Sequence, residues 1–514
     1  MTPVRYAISF VLLAGQAAAQ TNAPLSAIDW LSQSVNPIQV GIPLDNGVTD
    51  PNQPNGAAAA EVTVSPLDSA SPDVVGLLPS SVTGLPQTLW SYSHESDLTT
   101  LMAGAPTESL PAVQELLIML ALAEAKPPLD AGNDGALFMA RVDKLLDIGA
   151  LEQAQALLEA ADPVEPALFR RWFDISLLTG TEAPACKMLQ EAPDLSATYA
   201  VRVFCIARGR DWDTAALILN TGMALGDLDA DEVNLLLRFL DVDMDDSATA
   251  LPIPDPVTPL KFRLFEAIGE PLTTAQLPRA FAHADLRDVA SWRSQLEAAE
   301  RLARYGAVDD NVLRSQYNAR RPAASGGIWD RAEAFQRFDT AIRAKDPTSV
   351  AATLPAAWAA AQFARIEVPF ARLFADDLMA LPLTGEIGQT AFHIALLSSQ
   401  YEQAAIDYIP TTTNDAFLIA VARGDVSDVL AETVRETVVY NAFAGNAAIP
   451  DKITNLLSDQ KLGEALLNAI QLIDRGIDGD SSQITDALIT LRAVGLEDTA
   501  RRAAIQYILL ERAL

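Results

Sequence analysis

Histidine and cysteine are nearly missing from this chain, with three of the first and two of the second in 514 residues. His94, His283 and His393 lie far apart, with no carboxylate or cysteine at metal-ligand spacing, which argues against a histidine-dependent hydrolase or a zinc enzyme. No HExxH, GxSxG, P-loop or strand-linked GxGxxG pattern occurs, so no catalytic site, metal or cofactor is expected. Positive charge is scarce as well. Against 67 Asp and Glu stand 36 Lys and Arg, a net charge of −31. Nucleic acids and anionic membranes favour basic surfaces that release counterions, so neither is expected as a partner. Long apolar runs are absent from the body: the strongest, Leu116 to Ala123, is closed off by Glu115 and Glu124. It falls far short of the roughly 20 residues a membrane-spanning helix needs, and no span is expected in the mature chain.

What is present begins with an export pattern. Arg5 precedes a mostly apolar stretch from Tyr6 to Ala14, and Ala17, Ala18 and Ala19 precede Gln20. Residues 1–19 therefore read as a secretory signal peptide with a small-residue cleavage site. No cysteine follows that site to carry a lipid, so the expected location is extracytoplasmic, and periplasmic in a bacterium. Cys186 and Cys205 sit on neighbouring expected helices with a turn between them. Either a disulfide across that hairpin or two buried thiols fits the spacing.

Residues 20–105 look different from the rest. From Gln20 to Ala125 there is no Lys or Arg, while eleven acids contribute −11. Nine of the 31 prolines fall between Pro24 and Pro86, among Asn, Ser and Gly. Without a sustained period the segment is expected to be an acidic, extended or disordered arm. Inside it, Ser26 to Asp29 has capping-box spacing and is followed by Trp30, Leu31 and Val35. Ile28, Trp30 and Leu31 are thus candidate partner-binding residues on a short helix, which alternatively docks on its own body.

Beyond residue 105 the apolar period becomes helical, with no convincing strand. Leu137 to Ile148, Leu151 to Ala161, Glu165 to Leu178, Ala197 to Ala207, Leu286 to Tyr305, Asp330 to Ala344 and Ile484 to Val494 all read as helices. Several turns share one layout, a glycine that ends one helix and a small residue about five positions later in the next. Gly149 with Ala154 and Gly495 with Ala500 show it, and Gly209 with Ala215 is one residue longer. Such helix pairs resemble tetratricopeptide (TPR) units too irregular for a strict period. The expected fold is all-α, an irregular TPR-like α-solenoid or superhelix. Pro252, Pro254, Pro256 and Pro259 place a break near residue 251, and Pro382 to Gly388 a weaker one. Helical regions 106–250, 251–385 and 386–514 follow.

Three motifs invite chemistry and carry little of it. Ser458 and Lys461 match SxxK, without the KTG element or a sheet to support it. Glu95 and Ser96 match the Glu-Ser pair of lytic transglycosylases, whose superhelical parts the body is similar to in general character, but the downstream Gly-Leu-Met-Gln segment is missing. Asp241, Asp243 and Asp245 have calcium-loop spacing, but Asp246 replaces the glycine and Pro252 the final glutamate. More suggestive is Arg320-Arg321 followed by Ser325-Gly326-Gly327 and Trp329, a basic pair beside a helix start. Free N–H groups there favour an anion, so Arg320, Arg321 and Trp329 are candidate partner-binding residues.

Leu277 to Ala307, with Pro278-Arg279-Ala280-Phe281-Ala282-His283, and Arg320 to Thr340 resemble an exported, alanine-rich helical family of alphaproteobacteria. That resemblance implies an exported helical-repeat protein and brings no catalytic or ligand residues. The expected function is a non-enzymatic periplasmic scaffold that holds a protein or peptide on a helical-repeat surface. The alternative is a cell-wall protein related to the non-catalytic superhelix of lytic transglycosylases, binding glycan or assisting an enzyme.

Overall fold

A computed structural model describes residues 71–196, 198–240, 250–445 and 447–510. Among these residues the chain is all helix, with no strand. Helices α1 to α6 run Ser80–Thr83, Glu95–Ala103, Pro111–Leu122, Ala136–Ile148, Leu151–Ala160 and Pro166–Thr179. Helices α7 to α12 follow at Ala183–Glu191, Tyr199–Arg208, Trp212–Leu225, Ala230–Leu240, Pro259–Ala267 and Ala282–Asp285. Next come α13 to α19, at Trp292–Ala303, Asp310–Asn318, Ile328–Arg343, Pro347–Ala364, Glu367–Met379, Gly385–Leu396 and Tyr401–Asp407. Thr413–Arg423, Val434–Phe443, Asp451–Ser458, Leu462–Asp478, Ser482–Ala493 and Glu497–Leu509 complete the set as α20 to α25.

The punctuation is physical. Pro111, Pro166, Pro259 and Pro347 each open a helix, where a missing N–H costs nothing. Thr258 caps α11 through the N–H of Lys261, so the proline-rich stretch from residue 250 ends where helix resumes. Gly149 and Gly495 take left-handed conformations, with φ of 86° at each. Gly209 does not; there Arg210 takes the positive φ, 65°, which accounts for the longer turn. The helix expected from Leu286 starts six residues later at Trp292, because Ser291 accepts the N–H of Ser294 as its cap.

Residues 71–105 depart from the expected extended arm. Leu89, Trp90, Leu98 and Met102 are buried, and α2 packs on both α4 and α23. Neighbours supply the positive charge this segment lacks. Arg141 of α4 is fully buried and donates to the carbonyls of Ala121, Val75, Ala123 and Asp73 at 2.8–3.3 Å. Lys144, one turn on, donates to Ala103 and Ala105 at 2.9 and 2.8 Å. Two cations thereby satisfy backbone carbonyls that irregular chain would leave without partners on burial. Gly463 lets the segment close in: a Cβ there would lie 2.4 Å from the Trp90 ring.

Helices pack largely on their sequence neighbours, but the ends also meet. α3 packs against α23 and α25, and α2 against α23. The buried N–H of Ala112 donates to Gln506 Oε1 at 2.8 Å, and Gly463 N–H to the Leu89 carbonyl at 3.1 Å. Charge reinforces the junction: Glu115 of α3 bridges Arg372 of α17 and Arg502 of α25, and Arg372 continues to Asp310 of α14. One buried apolar cluster runs from Leu85 to Leu510 across all of it.

Candidate functional site

Of the expected partner-binding residues, Ile28, Trp30 and Leu31 lie outside the described residues, as do Asp241, Asp243, Asp245 and the signal peptide. Arg320, Arg321 and Trp329 do not converge. Both arginines are exposed, and neither guanidinium has a partner among the described residues. Trp329 instead turns inward to Trp292, ring centres 5.1 Å apart. The start of α15 already holds a carboxylate: Asp330 Oδ1 accepts the Gly326 N–H at 2.8 Å. An anion arriving there would compete with a tethered one.

Cys186 and Cys205 form a disulfide linking α7 to α8, with Cα atoms 5.1 Å apart. Each histidine has a local partner. His94 meets Asp130 on the surface, His393 meets Asp415 in a capping box of α20, and His283 meets the Gly149 carbonyl in the core. Ser458 and Lys461 turn to different partners, Ser458 to the Thr454 carbonyl of its own helix and Lys461 to Glu464. Glu95 sits against Asp73; burial, and then the nearby Asp73 and Asp134 charges, raise its pKa. Asp73 is itself engaged as an acceptor for the Phe138 N–H, so this pair locks the start of α4. Among the described residues no group of three His, Cys, Asp or Glu side chains could hold a metal ion. Nor is any described helix long and apolar enough to cross a membrane.

Where the ends meet, Glu108, Tyr305, Arg365, Arg435 and Tyr507 line a cavity of about 80 Å³. That is room for several waters. Arg435 is committed to the carbonyls of Tyr507 and Leu510, both at 3.0 Å. This cavity is a polar joint.

The surface with most to offer is on α7 to α11, a lobe attached to α6. Rings link its core: Phe173 of α6 to Phe204 of α8, then Phe239 of α10, then Trp212 at the start of α9, at 6.4, 5.9 and 6.1 Å. α9 enters this core through Ala215, Leu219 and Gly222, its only buried residues. Beside that face runs a second stripe at helical spacing, Thr214, Leu217, Thr221, Ala224 and Leu225, while Ile218 lies between the two and packs against the core. Leu217 and Leu225 are 65% and 62% exposed. No family model, curated protein or solved structure matches the chain.

From residue 211 to 231 the charge has one sign, with Arg210 just before it. Asp211, Asp213, Asp227, Asp229 and Asp231 flank α9, and residues 211–231 contain no Lys or Arg. Between α10 and the proline segment, cavities of about 260 and 210 Å³ share Asp229, Glu232, Leu235 and Lys261. Burial raises the Glu232 pKa there. Sequence reasoning passed over α9, although its signal is legible: apolar residues fall on two stripes of one helix, and a helix docked by one face buries only one of them.

Proposed function

We propose that the chain is an exported, extracytoplasmic, non-enzymatic scaffold, a TPR-like superhelix that presents α9 to a protein partner. The outward stripe of Leu217, Thr221, Ala224 and Leu225 carries this reading, because small and apolar side chains at i, i+4, i+7 and i+8 form a helix-docking face. The Cys186–Cys205 disulfide supports an oxidising compartment and agrees with the export pattern of residues 1–19. Binding rather than catalysis is favoured because Ser458, Lys461 and the three histidines are each engaged in local structure.

The test is purification of the tagged full chain from its native extracytoplasmic fraction, beside a Leu217→Asp, Leu225→Asp variant. A stoichiometric protein present with the first and lost with the second is the expected result. A partner retained by the variant would remove α9 from the reading. Co-purifying glycan without protein would replace the scaffold by the cell-wall alternative.

A further inference from the structure

α9 offers a partner a stripe of about three turns. Thr214 to Leu225 spans roughly 16 Å at about 1.5 Å per residue, and its spacing of three and four residues is what a second helix packs against. The two threonines contribute methyl groups to an otherwise aliphatic surface. Acids stand at both ends of this stripe: Asp211 and Asp213 precede or open the helix, and Asp227, Asp229 and Asp231 follow it. Asp211 is partly engaged as the cap accepting the Thr214 N–H, while Asp213 and Asp227 are exposed.

Three occupants can be weighed by charge. Residues 20–70 of the chain itself carry Asp29, Asp45, Asp50, Glu61 and Asp68 with no Lys or Arg, so that segment would bring acids to an acid-rimmed face. A second copy fares no better. An antiparallel pair of α9 helices would set Asp211 and Asp213 of one copy against Asp227 and Asp229 of the other, within a molecule of net charge −31. A helix of opposite charge has neither problem. We infer that α9 docks a three-turn amphipathic helix of another protein, with an apolar stripe flanked by Lys or Arg. This rests on α9 being the interaction surface and adds the chemistry of what covers it. Apolar contact with Leu217, Ala224 and Leu225 supplies the attachment, and the carboxylates select the basic flanks and orient them.

The experiment uses the full chain and four fluorescent peptides, followed by anisotropy. One is a helical peptide with a leucine stripe and lysine flanks, the second has glutamate flanks, the third is a scramble of the first, and the fourth is residues 24–37. The lysine-flanked peptide should bind at least about tenfold tighter than each of the others. It should weaken at least about tenfold with Leu217→Asp, Leu225→Asp, and by a smaller factor with Asp213→Asn, Asp227→Asn, at unchanged circular dichroism. Added salt should lower its affinity. Equal binding of the glutamate-flanked peptide overturns the charge selection and leaves α9 standing as an interaction surface. Equal binding of the scramble overturns the inference as general attraction to an acidic protein. Preferred binding of residues 24–37, or a dimer that Leu217→Asp, Leu225→Asp dissolves, assigns the face to the chain itself. Lysine-flanked binding that ignores Leu217→Asp, Leu225→Asp removes α9 from both this inference and the scaffold reading.

Discussion

His283 shows what burial does to a single titratable group. Its ring is fully enclosed, Nε2–H donates to the Gly149 carbonyl at 2.6 Å, and burial pulls its pKa from 6.5 to about 4. The unfolded chain takes up a proton at this residue near pH 6.5, whereas the folded chain resists until about 4. Between those limits the unfolded state binds more protons, so this group's contribution to stability is intact above the window and is lost as the pH falls through it. Across the window the loss is about 3 kcal/mol. Buried carboxyls such as Asp147 and Asp285, whose pKa values burial raises, act in the opposite sense and are common to any variant at residue 283. His283→Gln keeps a donor for the Gly149 carbonyl and removes the titration. Urea midpoints at about pH 7 and about pH 4.5 should therefore diverge less in the variant than in the natural chain. Equal divergence would mean that His283 is reached by protons in the folded state.

Among the elements, periodicity made some helices readable to within two residues. Leu137 to Ile148 is found as Ala136–Ile148, and Ile484 to Val494 as Ser482–Ala493. Residues 71–105 were not readable that way, because their order comes from side chains distant in sequence. Arg141 and Lys144 supply donors, and Gly463 supplies space for Trp90. A local scan for period or charge sees only prolines and acids in such a segment. The segment from Arg320 to Trp329 holds a contact hidden for a related reason: a helix start looks open in sequence, and Asp330 accepts the Gly326 N–H there in three dimensions. The α7–α8 hairpin is the element with the most specific test. Its disulfide joins residues 19 apart, and a loop of that size stabilises by about 3 kcal/mol through the unfolded state. Cys186→Ser with Cys205→Ser should speed hydrogen exchange throughout α7 to α10 while α13 to α18 keep their protection, read by mass spectrometry. Unchanged exchange in α7 to α10 would show that the aromatic chain from Phe173 to Trp212 holds the lobe without the covalent link.

At the scale of the molecule, the question is whether the helical array behaves as an open stack or as a closed circuit. In an open stack each unit feels only its neighbours, so damage at one end stays there. Here Glu115 ties the first long helix to the middle of the chain through Arg372 and to the last helix through Arg502. The three side chains are between 19% and 31% exposed, dry enough for charged hydrogen bonds to count. Glu115→Gln keeps the shape and removes the charge that separates two guanidinium groups. Asp310 still faces Arg372 and Asp498 lies 3.8 Å from Arg502, so compensation is partial. The expected cost is about 1–3 kcal/mol, the range for breaking hydrogen bonds to a part-buried charge. Its distribution is the decisive part. A closed circuit predicts that α3, α23 and α25 lose hydrogen-exchange protection together, although α3 lies hundreds of residues from the other two, while α8 to α10 are untouched. Loss confined to α3 would make the meeting of the ends a passive contact. Joint loss would make closure a cooperative unit that fixes the frame from which the α9 lobe projects.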